Sequence, residues 1–229
     1  MGFVGHRFLL SAMVRGAVNH FLGPKSAFPC QHAESGQIRA MPAPRLILAS
    51  ASPRRHELLA AAGIDFTVET ARAEELHDAR MAPEELVVWN ALAKAREVAA
   101  RHPDAAALGA DTLVYLGNEP LGKPGDLAEA AAMLRRLSGC WHEVWTGLAL
   151  VHGDRVLGTR AVKTRVRFAT LDDETIAAYH FRVSPLDKAG AYGIQEHTDL
   201  LGAEADGPLD NVIGLPVEAA LELIGRHMG

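Results

Sequence analysis

Cysteine is scarce. The 229-residue chain has two, Cys30 and Cys140, far apart and with no CxxC pair. That excludes a disulfide framework and a cysteine-rich zinc site, and it fits a reducing compartment such as the cytoplasm. Long apolar runs are also missing, since none approaches the roughly 18 residues a membrane span requires. No surplus of positive charge exists: Lys and Arg number 23 against 28 Asp and Glu, a net charge of −5. A general nucleic-acid or membrane-surface binder therefore has no support. The 11 histidines form no HExxH and no group with metal-ligand spacing, so a zinc site is not expected. One further absence is local. From Met1 to Ala33 there is no Asp or Glu; the first acid is Glu34.

That acid-free stretch, running on to Met41-Pro42-Ala43-Pro44, reads as an N-terminal extension over residues 1–44, disordered or the product of a start codon placed too early, with Met41 the true first residue. An organelle transit peptide is the competing reading. A secretory signal fits poorly, because Arg7, Arg15 and His20 interrupt the apolar patches. Residues 45–229 form the body. Hydrophobic residues at 48% and charged residues at 22% are ordinary for a globular domain able to bury its own core.

Within the body, strands alternate with helices, and no internal repeat or low-complexity linker follows residue 45. Arg45 to Ala49 reads as a short buried strand. Ser52 and Pro53 suit the cap and first position of a helix that ends at Gly63. Ile64 to Val68 reads as a second strand, and Pro83 opens a long helix to about Arg101. Ala106 to Leu116 is a strand-like run interrupted at Gly109-Ala110-Asp111-Thr112. Asp126 to Glu129 resembles a capping box for a helix ending near Leu137. Val144 to His152 and Val156 to Phe168 read as strands joined by a Gly153-Asp154 turn. Further helices open at Leu171-Asp172 and about Val217. The hairpin argues for a mixed α/β sheet and against a purely parallel, doubly wound one.

Four stretches carry candidate chemistry. Ser50-Ala51-Ser52-Pro53-Arg54-Arg55 lies between a strand and a helix, where free backbone N–H groups, two hydroxyls and two guanidiniums suit a phosphate. A capped helix with solvated arginines is the bland alternative. Asp111 sits at the break in an apolar run, where a carboxylate is expensive unless paired or bound to a cation. Glu74 and Glu75 form the nearest loop-like acidic pair, and one of them with Asp111 has the oxygen chemistry to hold Mg²⁺. A turn Asp and a solvated acidic pair are the ordinary alternatives. Gly117 to Lys123 satisfies seven positions of a P-loop, but Pro124 stands where Ser or Thr must bind Mg²⁺, so that motif is rejected. Lys123 remains as a point charge. In Pro185 to Gln195, small residues permit close backbone approach, and Gln195 offers a donor and an acceptor for a base edge. Trp89, Trp141 and Trp145 read as packing residues.

The text LILASASPRRHELLAAAGIDF, ALAKA, LGADTLVYL, GKPGD, LSG, PLDKAGAYGIQ and NVIGLP, in this order, resembles the Maf family of nucleoside-triphosphate pyrophosphatases over about residues 45 to 226. The resemblance implies the fold shared with inosine-triphosphate pyrophosphatases, an elongated mixed sheet with flanking helices and a central cleft. It implies hydrolysis of a nucleoside triphosphate to the monophosphate and pyrophosphate with a divalent metal, Mg²⁺ or Mn²⁺. It also implies a tendency to form homodimers. Asp111 matches the family's proton acceptor, and Glu75 matches an acid near the metal. Ser52, Arg54, Arg55, Lys94 and Lys123 match phosphate-binding positions.

Arg54, Thr112 and Gln195 match the specificity positions of the dTTP/UTP branch. The 7-methyl-GTP branch, the alternative, carries an aromatic residue and Gln at the first two. A second alternative, regulation of septum formation through a partner, is implied by the family's older name. Residues Gly202 to Asp210 depart from the family pattern: Pro208 replaces the usual Ser, and the preceding strand is weakened.

Overall fold

The computed structural model describes residues 45–78 and 80–228. The extension assigned to residues 1–44 lies outside the described residues. Among the described residues the fold is an open, mixed, seven-stranded sheet flanked by helices on both faces, its strands lying in the spatial order second, first, third, fifth, sixth, seventh by chain position, with the fourth paired to the third. The expected α/β fold class and mixed sheet are what the chain adopts.

β1 (Arg45–Ala49) runs parallel to its neighbours β2 (Thr67–Val68) and β3 (Ala105–Leu116). A strand flanked on both edges and covered on both faces must be apolar throughout, and all of β1 beyond Arg45 is buried. Its alternation sorts the two layers. Leu46 and Leu48 pack with Leu58 and Leu59 of α1 (Pro53–Ala61) and with Val217, Ala220 and Leu223 of α7 (Val217–Met228). Ile47 and Ala49 pack with Ala91, Ala95, Val98 and Ala99 of α2 (Pro83–Arg101).

α2 begins with Pro83 and two acids, Glu84 and Glu85, and ends with Arg101, an order that complements its dipole. Its backbone lies directly on the sheet. A Cβ at Gly109 would sit 2.1 Å from the Ala91 carbonyl oxygen, and one at Gly147 would sit 2.3 Å from the Val87 carbonyl. This corrects the expected interruption at Gly109 to Thr112, because β3 runs unbroken from Ala105 to Leu116. Gly109 is there to admit the helix, not to turn the chain. The expected strand over Ile64 to Val68 shrinks to Thr67–Val68, because only those two residues find a partner in β1. Ile64 and Phe66 instead pack against the α1 and α7 layer.

The Gly117-Asn118 turn returns the chain as β4 (Glu119–Leu121), antiparallel to the end of β3. Asp126 caps α3 (Leu127–Leu137) by accepting from the Glu129 N–H at 2.8 Å. The Glu129 carboxylate reaches back to the Gly125 N–H at 2.7 Å, one residue before the cap itself. β5 (Trp141–His152) and β6 (Arg155–Arg167) form the expected hairpin, with β5 starting three residues earlier than expected. α4 (Asp173–Arg182) follows with Asp172 as its cap. Residues 183–197 then form a loop with a 3₁₀ turn at Ala189–Ala191. Short α5 (Thr198–Leu201), exposed edge strand β7 (Glu204–Asp206) and α6 (Leu209–Ile213) complete the chain before α7. The weakened strand expected before Pro208 is the three-residue β7.

β3 is longer than its neighbours on one edge. β1 pairs with Arg45↔Ala105 through Ala49↔Gly109, and β4 pairs only from Val114 onward. Residues 110–113 therefore face a gap in the sheet. The N-terminus of α1, following directly on β1, opens onto the same gap.

Candidate active site

A cleft of about 540 Å³ occupies that gap. Its walls include all nine positions that the family resemblance marks, and of the acidic pair Glu75 but not the exposed Glu74: Ser52, Arg54 and Arg55 from the start of α1, Glu75 from the loop before α2, and Lys94 from α2. Asp111 and Thr112 come from β3, Lys123 follows β4, and Gln195 comes from the loop after α4. Strand periodicity splits the two β3 residues between faces. Asp111 faces α2 and Thr112 faces α1 and α6.

On the α2 face, Asp111 is 3% exposed. A carboxylate so buried requires partners, and it has two. Lys94 Nζ donates to its Oδ1 at 2.6 Å, and Asn90 Nδ2 donates to its Oδ2 at 3.0 Å. The Lys94 ammonium also donates to Glu75 Oε1 at 2.7 Å, so the lysine bridges the two acids. Burial works to raise the Glu75 pKa, but Lys94, with lesser help from Lys123 and Arg55, outweighs it and holds the carboxyl below its ordinary value. The Asn90 amide both donates to the Leu76 carbonyl and accepts from the Leu76 N–H, at 3.1 and 2.8 Å. It thereby fastens the Glu75 loop to the helix that carries Lys94.

On the opposite face, Arg55 is held by three acceptors. Its Nε donates to Gly214 O at 2.8 Å, Nη2 to Thr112 Oγ1 at 3.0 Å and Nη1 to Ser50 Oγ at 3.3 Å. Burial lowers the Arg55 pKa, and the charges of Asp111 and Glu75 act the other way. Thr112 is tied onward to Thr146, which donates to the Asn211 carbonyl at 3.0 Å. The Ser52 side chain makes no capping hydrogen bond; its backbone N–H donates to Ser50 Oγ at 3.2 Å. Arg54 reaches across to the far loop, donating from Nη1 to Asp187 Oδ2 at 2.8 Å. Lys123 stands exposed on the rim.

The residues 185–195 are pinned from beneath. The Gly193 N–H donates to the Tyr179 hydroxyl at 3.0 Å, and the Tyr192 hydroxyl meets His142 Nε2 at 2.9 Å. Sequence reasoning missed Asn90, Asp187, Lys188 and Glu196. Asn90 precedes Lys94 by one helical turn, a spacing that places both on one face and is a usable signal. Asp187 and Lys188 stood inside the PLDKAGAYGIQ text with no role read from them.

Among the described residues no group of three or more His, Cys, Asp or Glu side chains is placed to hold a metal. Glu75 and Asp111 nevertheless fit Mg²⁺ by donor chemistry. The ion takes one or two carboxylates and completes its shell with water and substrate phosphate. The ammonium seated between the two carboxylates marks a place where positive charge is stable.

The family described as Maf-like protein matches residues 45–227. A dTTP/UTP pyrophosphatase of Akkermansia muciniphila is 46% identical over 181 residues, which cover 79% of this chain and 95% of that protein. Those of Symbiobacterium thermophilum and Myxococcus xanthus are each 49% identical, over 79% of this chain and 92% and 91% of theirs. Among the described residues no helix is long and apolar enough to cross a membrane.

Proposed function

The chain belongs to the Maf-like protein family, and on that footing we propose that it hydrolyses nucleoside triphosphates, dTTP and UTP in preference, to the monophosphate and pyrophosphate. The observation that carries the reading is the Asp111–Lys94–Glu75 cluster, two carboxylates and an ammonium sharing one corner of a cleft whose walls also carry Arg54, Arg55 and Lys123. In the reaction a water oxygen bonds to the α-phosphorus. The bond from that phosphorus to the bridging oxygen breaks, and pyrophosphate leaves with the bond's electrons. Asp111 takes the proton from the water. Lys94 donates to Asp111 and Glu75 and, with one N–H left over, contacts phosphate. Arg54, Arg55, Lys123 and the N-terminus of α1 at Ser52 neutralise charge on the departing pyrophosphate. A divalent cation, Mg²⁺ or Mn²⁺, held by Glu75 and Asp111, would supply the remaining charge neutralisation.

Thr112 and Gln195 recognise the base. They approach the same cleft from a strand and a loop, and the relatives' names support a pyrimidine preference. Free nucleotide as substrate accords with a cytoplasmic place of action, and homodimerisation is the assembly we assign to the chain. The test is a substrate panel with Mg²⁺ or Mn²⁺. Pyrophosphate is released from dTTP and UTP ahead of dATP, dGTP and 7-methyl-GTP. Asp111→Asn, folded as wild type, loses about 100-fold or more in kcat. A purine-first profile overturns the base assignment, and near-wild-type turnover in the variant removes Asp111 from its role.

A further inference from the structure

Arg54 and Arg55 are neighbours at the start of α1, yet they are held in different ways. Arg55 is tied to three acceptors, Gly214 O, Thr112 Oγ1 and Ser50 Oγ, and is fixed in place. Arg54 hangs on one residue. Its Nη1 donates to Asp187 Oδ2 at 2.8 Å, and its Nη2 reaches the Asp187 main-chain carbonyl at 3.4 Å. Among the described residues these are the only hydrogen bonds Arg54 makes, and the only ones that join α1 to the loop of residues 183–197. Both side chains line the cleft, so a carboxylate occupies a guanidinium in a site built for a polyanion.

The pair is easy to separate. The Arg54 side chain is 24% exposed and that of Asp187 54%, and an ion pair so open to water contributes little. The carboxylate takes a single bond from the guanidinium, whereas a phosphate can take two parallel ones, the stronger arrangement. Asp187 also has a second cation. Lys188 Nζ donates to its other oxygen, Oδ1, at 3.0 Å. Lys188 is 7% exposed at its side chain and is anchored by the Ser184 carbonyl at 2.8 Å and by an ion pair with Glu196 at 3.4 Å. Burial opposes ionisation of Asp187, but the hydrogen bonds from Arg54 and Lys188 outweigh it and hold its pKa below the ordinary value. Arg54 can therefore leave without stranding a carboxylate. Paired, Arg54 and Asp187 are together neutral and attract a polyanion little. Separated, Arg54 offers its full charge while Lys188 keeps Asp187 neutralised.

We propose that Asp187 is a positioning residue that competes with phosphate for Arg54: it holds the guanidinium across the empty cleft, yields it to the incoming triphosphate and takes it back as pyrophosphate leaves. The inference rests on the pyrophosphatase reading, in which Arg54 serves the departing pyrophosphate, and deepens it by naming what loosens that product. Its cost falls on ligands that need Arg54, the triphosphate and pyrophosphate. The nucleoside monophosphate does not draw on Arg54 and is spared.

The experiment measures KM for UTP and inhibition of UTP hydrolysis by added pyrophosphate and by added UMP, at fixed excess Mg²⁺. Wild type, Asp187→Asn, Asp187→Ala and Arg54→Gln are compared, with thermal melts as the folding check. An asparagine at 187 still accepts from Lys188 but brings no charge to Arg54. In Asp187→Asn the inhibition constant of pyrophosphate and KM for UTP are each expected to fall about three- to fivefold, while that of UMP changes by less than about twofold. Asp187→Ala moves the same two numbers in the same direction and carries the comparison should the asparagine variant not fold. A merely structural role would weaken ligands rather than tighten them. Pyrophosphate inhibition that weakens or stays level in the folded variants overturns the competition. Equal tightening of pyrophosphate and UMP overturns it too, because the carboxylate would then act as a general field. Arg54→Gln that leaves pyrophosphate inhibition unchanged overturns the phosphate role of Arg54, and the competition with it. A wild type inactive on UTP and dTTP overturns the functional reading itself, and with it the inference.

Discussion

His142 is a histidine that the fold keeps neutral. It lies among Phe168 and Tyr192, edge-to-face with both, and burial lowers its pKa from 6.5 to about 4. The linkage has a definite sign. Between pH 6.5 and pH 4 the unfolded chain takes up a proton that the folded chain refuses, so stability contributed by this group falls as pH falls through that window. Below pH 4 it falls no further. At about 1.4 kcal/mol per unit, the loss approaches roughly 3 kcal/mol. His142→Gln retains a polar partner for the Tyr192 hydroxyl and lacks the titration. In denaturant melts the stability gap between wild type and variant is expected to shrink from pH 6.5 to pH 4. Parallel curves would remove His142 as the source. The same residue bears on function, because Tyr192 belongs to the loop that carries Gln195.

At the scale of elements, the contact that sets the site is α2 against β3 and β5. Lys94 and Asn90 reach Asp111 because the helix backbone rests on two glycines. Gly147→Ala would place a methyl 2.3 Å from the Val87 carbonyl, which a rigid helix backbone cannot yield. The expected loss is about 3 kcal/mol, with reduced turnover in the fraction that stays folded, since α2 must lift from Asp111. Gly225→Ala in α7 is the control. Nothing lies within 4 Å of its Cβ, and the better helix former is expected to stabilise by about 1 kcal/mol. Urea denaturation of both variants checks the pair.

This contact also shows what the chain's text discloses. Pro83, the capping acids Asp126 and Asp172 and the Gly153-Asp154 turn are local signals, and each element they mark is present. The Gly109 signal is equally local but has two meanings, a turn or a close approach. Only the position of α2 decides between them. β7, three residues long, owes its pairing to the distant β6 and carries no period of its own, whereas the equally short β4 is returned to β3 by the local Gly117-Asn118 turn. In the site, the nine resembling positions converge on one cleft. Asn90 acts by orienting Asp111 and the Leu76 backbone, and these partners are brought to it by folding.

For the whole molecule, net charge is a poor guide to ligand. A chain at −5 gathers Arg54, Arg55, Lys94 and Lys123 along one cleft, and local field rather than total charge governs attraction of a polyanion. The described sheet and the family match both begin at residue 45, and we propose residues 45–229 as the folded catalytic unit. A protein lacking residues 1–44 is expected to keep its melting temperature and its kcat/KM for UTP. A truncated protein that aggregates or melts early would assign the first 44 residues to the domain.

The alternation along β3 has a further consequence for how such a protein can change over time. Asp111 and Thr112 are neighbours in sequence, yet one belongs to the Lys94 and Asn90 corner under α2 and the other to the layer formed by α1 and α6. Under the roles proposed for them, bond breaking and substrate choice are inherited on opposite sides of a single strand. On that reading, side chains that select the base can drift, lose one nucleotide and acquire another, while the strand register that presents Asp111 stays as it is.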